Sequence, residues 1–92
     1  MSVQEINELW PAIVMLKENP LARETFEVVA KNLGISGYGI ARRLDKKPEL
    51  VQNAISQLLE QQLISGSAEL RDNLALTGSG FSVTAHPELW KK

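Results

Sequence analysis

Two blocks of apolar residues at helical spacing, set only three residues apart, constrain this chain more than any other feature. Ile40, Ala41 and Leu44 give an inward face to a short segment from about Gly37 to Leu44. Val51, Ala54, Ile55 and Leu58 do the same for a longer segment that starts near Pro48 and runs to about Gln62. Between them lies only Asp45-Lys46-Lys47. A short helix, a three-residue turn and a longer helix make up a helix-turn-helix unit.

The flanking sequence extends this unit in both directions. From Val3 to Glu18, Ile6, Leu9, Trp10, Ile13 and Leu16 recur at helical spacing, with Val14 and Met15 widening the apolar face. Pro11 either kinks this helix or opens its second half. The face reads as core or as the seam of a homodimer. A second helix is expected with Asn19 as N-cap and Pro20 in its first turn. It runs to about Leu33, turns Phe26, Val29, Ala30 and Leu33 inward, and stops at Gly34.

In the last third the period changes. Leu63-Ile64, the alternation Leu74 and Leu76, and then Phe81, Val83 and Ala85 read as short strands separated by polar or glycine-rich stretches at residues 65–73 and 78–80. The expectation is a β-hairpin or a small three-stranded ribbon. Gly78-Ser79-Gly80 is either its turn or the segment after its second strand. The predicted class is mainly α with a small β-hairpin: a winged helix-turn-helix with an additional N-terminal helix. One domain spans residues 1–92, with an N-terminal helix over 1–19, a three-helix core over 20–62, a wing over 63–85 and a tail over 86–92.

The same residues carry a family resemblance. Ile40-Ala41 and Leu44, the inward residues Val51, Ala54, Ile55 and Leu58, the exit pair Leu63-Ile64, and Leu76, Thr77 and Gly80 in an L-T-x-x-G pattern resemble multiple-antibiotic-resistance (MarR-like) and related winged-helix regulators. The likeness covers about residues 21 to 80. It implies a small transcriptional regulator that binds double-stranded DNA, with the segment after the turn entering the major groove.

Function has to be read from residues that packing leaves outside. Glu49, Gln52, Asn53, Ser56, Gln57 and Glu60 share one solvent face of the fourth helix. Gln and Asn can donate to and accept from the N6/N7 edge of adenine, and Ser can bond to either kind of group. Gln52, Asn53, Ser56 and Gln57 are therefore the candidate base contacts. Arg42 and Arg43 at the end of the preceding helix, Lys46 and Lys47 in the turn, and Arg71 in the wing are the candidate phosphate contacts. With no Lys or Arg on the reading helix, about four to six phosphates per monomer would be neutralised, giving modest, salt-sensitive affinity.

Composition narrows the alternatives. The net charge is −1, but it is unevenly spread: residues 1–27 hold five acids against Lys17 and Arg23, whereas residues 38–47 hold four cations against Asp45. A second reading follows from that acidic first third, a winged helix that contacts another protein instead of DNA. The chain has no cysteine, which excludes disulfides and thiolate zinc sites and suits a reducing cytoplasm. Neither a signal peptide nor a stretch of ~20 apolar residues is evident.

Catalysis is not expected. His86, the one histidine, stands beside Pro87 near the C-terminus with no second His or Cys to share a metal. Gly34, Gly37 and Gly39 do not match a phosphate loop or dinucleotide fingerprint and read as helix-end and turn glycines. No cofactor is called for. Trp90 is expected to fold back on the core or to pack on a second subunit.

Overall fold

The computed structural model describes residues 3–91; Met1, Ser2 and Lys92, the ends of the expected domain, lie outside the described residues. Helix α1 (Val3–Glu18) passes through Pro11 as one element. It buries Ala12, Ile13 and Leu16, all in its second half. Its first half is far less covered: Ile6 and Leu9 are half-buried and Trp10 is exposed.

Helix α2 (Pro20–Lys31) begins as its sequence requires. The Asn19 side chain accepts from the Ala22 N–H at 3.1 Å, and Pro20, which has no N–H, occupies a position where none is needed. The helix stops two residues short of the expected end. Asn32 already departs from helical dihedrals (φ −140°, ψ 69°), so Leu33 no longer follows the helical period. It was expected inward and is instead exposed. Gly34 then takes φ +91°, a conformation that favours glycine, and turns the chain into an extended segment.

That segment joins the sheet. The Gly34 N–H donates to the Leu74 carbonyl at 2.7 Å, the Leu74 N–H donates to Ile35 at 2.9 Å, and Ser36 bridges Asn73 in antiparallel fashion. Strand β1 (Ile64–Ser65) pairs antiparallel with β2 (Ala75–Leu76), Ile64 opposite Leu76 and Ser65 opposite Ala75. The third partner of this small ribbon thus precedes the helix-turn-helix instead of following the hairpin.

Helix α3 (Gly37–Leu44) is capped by Ser36, whose hydroxyl accepts from the Gly39 N–H at 3.2 Å. It ends on Asp45 in the left-handed region (φ 53°), with the Lys46 N–H reaching back to the Ala41 carbonyl at 3.0 Å. Lys47 then leads into α4 (Pro48–Glu60), whose Val51, Ala54, Ile55 and Leu58 are buried. A second left-handed residue, Gln62 (φ 59°), lets the Leu63 N–H bond to Leu58 and directs the chain into β1.

The expected strand through Phe81, Val83 and Ala85 is a helix, α5 (Gly78–Thr84), with Ala85 as its C-cap. Two features of the L-T-x-x-G pattern explain this. The Thr77 hydroxyl accepts from the Gly80 N–H at 3.0 Å and itself donates to the Gln62 carbonyl, fixing a helix start beside the end of α4. Gly80 lies so close to β1 that a Cβ there would stand 2.1 Å from the Leu63 carbonyl oxygen. Gly78-Ser79-Gly80 is accordingly the first turn of α5, after the second strand, and not a hairpin turn. Val83 is buried while Phe81 faces out.

A single-turn 3-10 helix, Pro87–Leu89, then returns the tail to the core. Trp90 is buried, its indole N–H donating to the Val83 carbonyl at 2.8 Å and its ring meeting Phe26 edge-on at 5.3 Å. Of the two places expected for Trp90, it takes its own core. Lys91 pairs with Glu27 at 3.4 Å and holds the tail against α2.

Candidate nucleic-acid interface

The four cations around the turn do not form one cluster. Adjacent residues on a helix point about 100° apart, and the side chains of Arg42 and Arg43 diverge accordingly. Arg42 and Lys46 line one shallow depression with Tyr38, Ala41, Asp45 and Pro48. Arg43 lines another with Glu24, Glu27, Lys31 and Leu44, beside the acids of α2. Lys47, the N-cap of α4, is exposed between the helices and makes no side-chain cap bond.

The wing brings a fifth cation to the first group. Its loop folds back over the helix-turn-helix: the Tyr38 N–H donates to the Leu70 carbonyl at 3.1 Å, and the Gln52 amide donates to the Ala68 carbonyl at 2.9 Å. The loop is braced internally by Ser67, whose hydroxyl bonds to Asp72 and accepts from the Glu69 N–H. Arg71 consequently lines a depression with Tyr38, Gln52, Glu69 and Leu70.

Tyr38 borders both depressions, with Arg42 and Lys46 on one side and Arg71 on the other. It is 45% exposed. Sequence reasoning missed this residue, although its place four positions before Arg42 on the same helix put the two on one face. Among the described residues, none of Arg42, Arg43, Lys46, Lys47 and Arg71 has a carboxylate partner within ion-pair distance.

The polar stripe of α4 also divides. Gln52, half-buried, is turned toward the wing by its bond to Ala68. Gln57 is turned the other way, its amide oxygen accepting from the Asn19 side chain at the start of α2. Glu49, Asn53, Ser56 and Glu60 remain exposed on the outward pole, their side chains making no hydrogen bond or ion pair among the described residues. Of the four candidate base contacts, then, Asn53 and Ser56 are free and Gln52 and Gln57 are engaged within the protein.

Among the described residues no group of three or more His, Cys, Asp or Glu could hold a metal ion, and no helix is long and apolar enough to cross a membrane. His86 lies in the tail, its ring 3.2 Å from the Glu88 carboxylate at the surface.

No protein-family model and no curated protein sequence matches this chain. Among solved structures it is similar to Lactococcus lactis ZitR, determined as a mutant in apo form. The likeness has a TM-score of 0.51 and 23% identity, and covers 96% of this chain and 75% of that one. At that identity it speaks to architecture: a mostly helical winged helix with a small antiparallel hairpin.

Proposed function

We propose that this chain is a DNA-binding transcriptional regulator of the MarR-like kind. In this reading α4 enters the major groove while Arg42, Lys46, Lys47 and Arg71 hold the flanking phosphates. The observation that carries the proposal is the arrangement of unpaired cations on both sides of Tyr38, next to a helix whose outward pole is polar and unengaged. Unpaired cations beside an insertable helix suit a polyanion whose grooves admit an α-helix. Arg43, facing Glu24 and Glu27, contributes least of the five.

A winged helix reads a palindromic site as a homodimer, each subunit taking one half-site. The first half of α1, with exposed Val3 and Trp10 and half-buried Ile6 and Leu9, is the surface proposed for the seam. The second reading, a protein-binding module without DNA, is favoured by one observation: Leu50 is 46% exposed on the flank of α4, next to the carboxylate of Glu49.

Binding of a fluorescent random-sequence duplex, followed by anisotropy at low salt, separates the two readings. The DNA reading expects the wild-type chain to bind, R42A to weaken binding several-fold and R43A to change it little. Absence of binding by the wild-type chain, or equal weakening by the two variants, argues against it.

A further inference from the structure

Resting on the DNA reading above, we infer that Glu49 and Asn53 are its sequence-reading pair, selecting a cytosine and an adenine one to two base pairs apart in the major groove. The inference starts from which side chains the fold leaves available. Gln52 has its amide N–H held by the wing backbone and Gln57 its amide oxygen by Asn19, so neither can offer a donor and an acceptor together to a base without breaking that bond. The unengaged groups on the outward pole near the cationic turn are Glu49 in the first turn of α4, Asn53 one turn later, and Ser56 beyond it.

Each group has a restricted chemistry. An ionised carboxylate only accepts hydrogen bonds. The bases present two kinds of exocyclic N–H donor in the major groove, the cytosine and adenine amino groups; Glu pairs most readily with cytosine N4, whereas on adenine the N7 acceptor next to N6 would repel it. Asn donates and accepts, which matches adenine N7 and N6 together. Ser bonds to either kind of group and so discriminates weakly. Positions 49 and 53 are about 6 Å apart along a helix axis, close to two base-pair steps of about 3.4 Å.

Charge complementarity sets the location. Lys46 and Lys47 immediately precede the helix, and Arg42 and Arg71 flank it, so its N-terminal turn is the part held deepest between phosphates. A carboxylate there is repelled by every sequence that cannot donate to it. Glu49 therefore acts mainly against wrong bases, and lowers affinity for duplexes that lack cytosine at its position.

The test is selection of bound sequences from a random duplex pool with the wild-type chain, E49A and N53A, their folding checked by circular dichroism. The wild-type pool is expected to enrich a C·G pair one to two steps from an A·T pair. E49A is expected to lose the preference at the C·G position alone by roughly five- to hundredfold, with overall affinity for random duplex unchanged or higher. N53A is expected to lose the preference at the A·T position alone. If E49A or N53A enriches the same motif as the wild type, this inference fails and the DNA reading stands. If the wild-type chain retains no duplex, both fail together.

Discussion

Single residues decide where this small chain is tight and where it is not. Gly80 and Thr77 show how one backbone contact and one cap turn an alternating apolar stretch into a helix. Thr25 shows the opposite: it is fully buried in α2, and its hydroxyl has no hydrogen-bond partner among the described residues. A buried unpaired hydroxyl costs about 1–3 kcal/mol in proteins. Replacing it with valine, of the same branched shape and only slightly larger, removes that cost, and Val and Thr have similar helix propensities. T25V is accordingly expected to raise stability by about 1 kcal/mol, read as a higher urea midpoint at unchanged slope. A lower midpoint would mean that the hydroxyl is satisfied in solution.

At the scale of elements, the helix-turn-helix was legible because its signals are local. Apolar residues at spacings of three and four, Pro48 at a helix start and Asn19-Pro20 at another survive into the structure within about two residues. Helix α5 was not legible: seven residues with two glycines form a weak helix, and Phe81, Val83 and Ala85 alternate as a strand would. Its cap bond from Gly80 to Thr77 is local, but the Thr77 hydroxyl is anchored on the Gln62 carbonyl and Gly80 packs against Leu63, partners remote in sequence. The division of the α4 stripe was equally hidden. Which amide is engaged depends on Ala68 and Asn19, and no helical wheel contains them.

Gln52 tests that division directly. As the strut between α4 and the wing it holds the loop that carries Arg71. Q52A is expected to lower stability by about 1 kcal/mol and to speed amide exchange in residues 66–73. If exchange there is unchanged while base preference shifts, Gln52 is a reader and not a strut.

For the whole molecule, two faces have separate expected roles. The α1 face, with Val3 and Trp10 exposed, is expected to pair with a second copy. Sedimentation equilibrium should show a dimer for the wild-type chain and a monomer for W10D, whose new charge would be buried in the seam. A wild-type chain that is monomeric at high concentration would rule out that seam. The other face, from Arg42 across Tyr38 to Arg71 with α4 alongside, is where the basic and polar groups excluded from the core are left unpaired.

The central claim is that this second face neutralises phosphates, and the salt dependence of duplex binding measures it most directly. The logarithm of the affinity should fall linearly with the logarithm of salt concentration, with a slope of about −0.9 for each phosphate neutralised. Changing Arg42, Lys46, Lys47 and Arg71 together to alanine should make that slope shallower by about three to four per monomer. A wild-type slope that the four substitutions leave unchanged would place any DNA contact elsewhere and contradict the account.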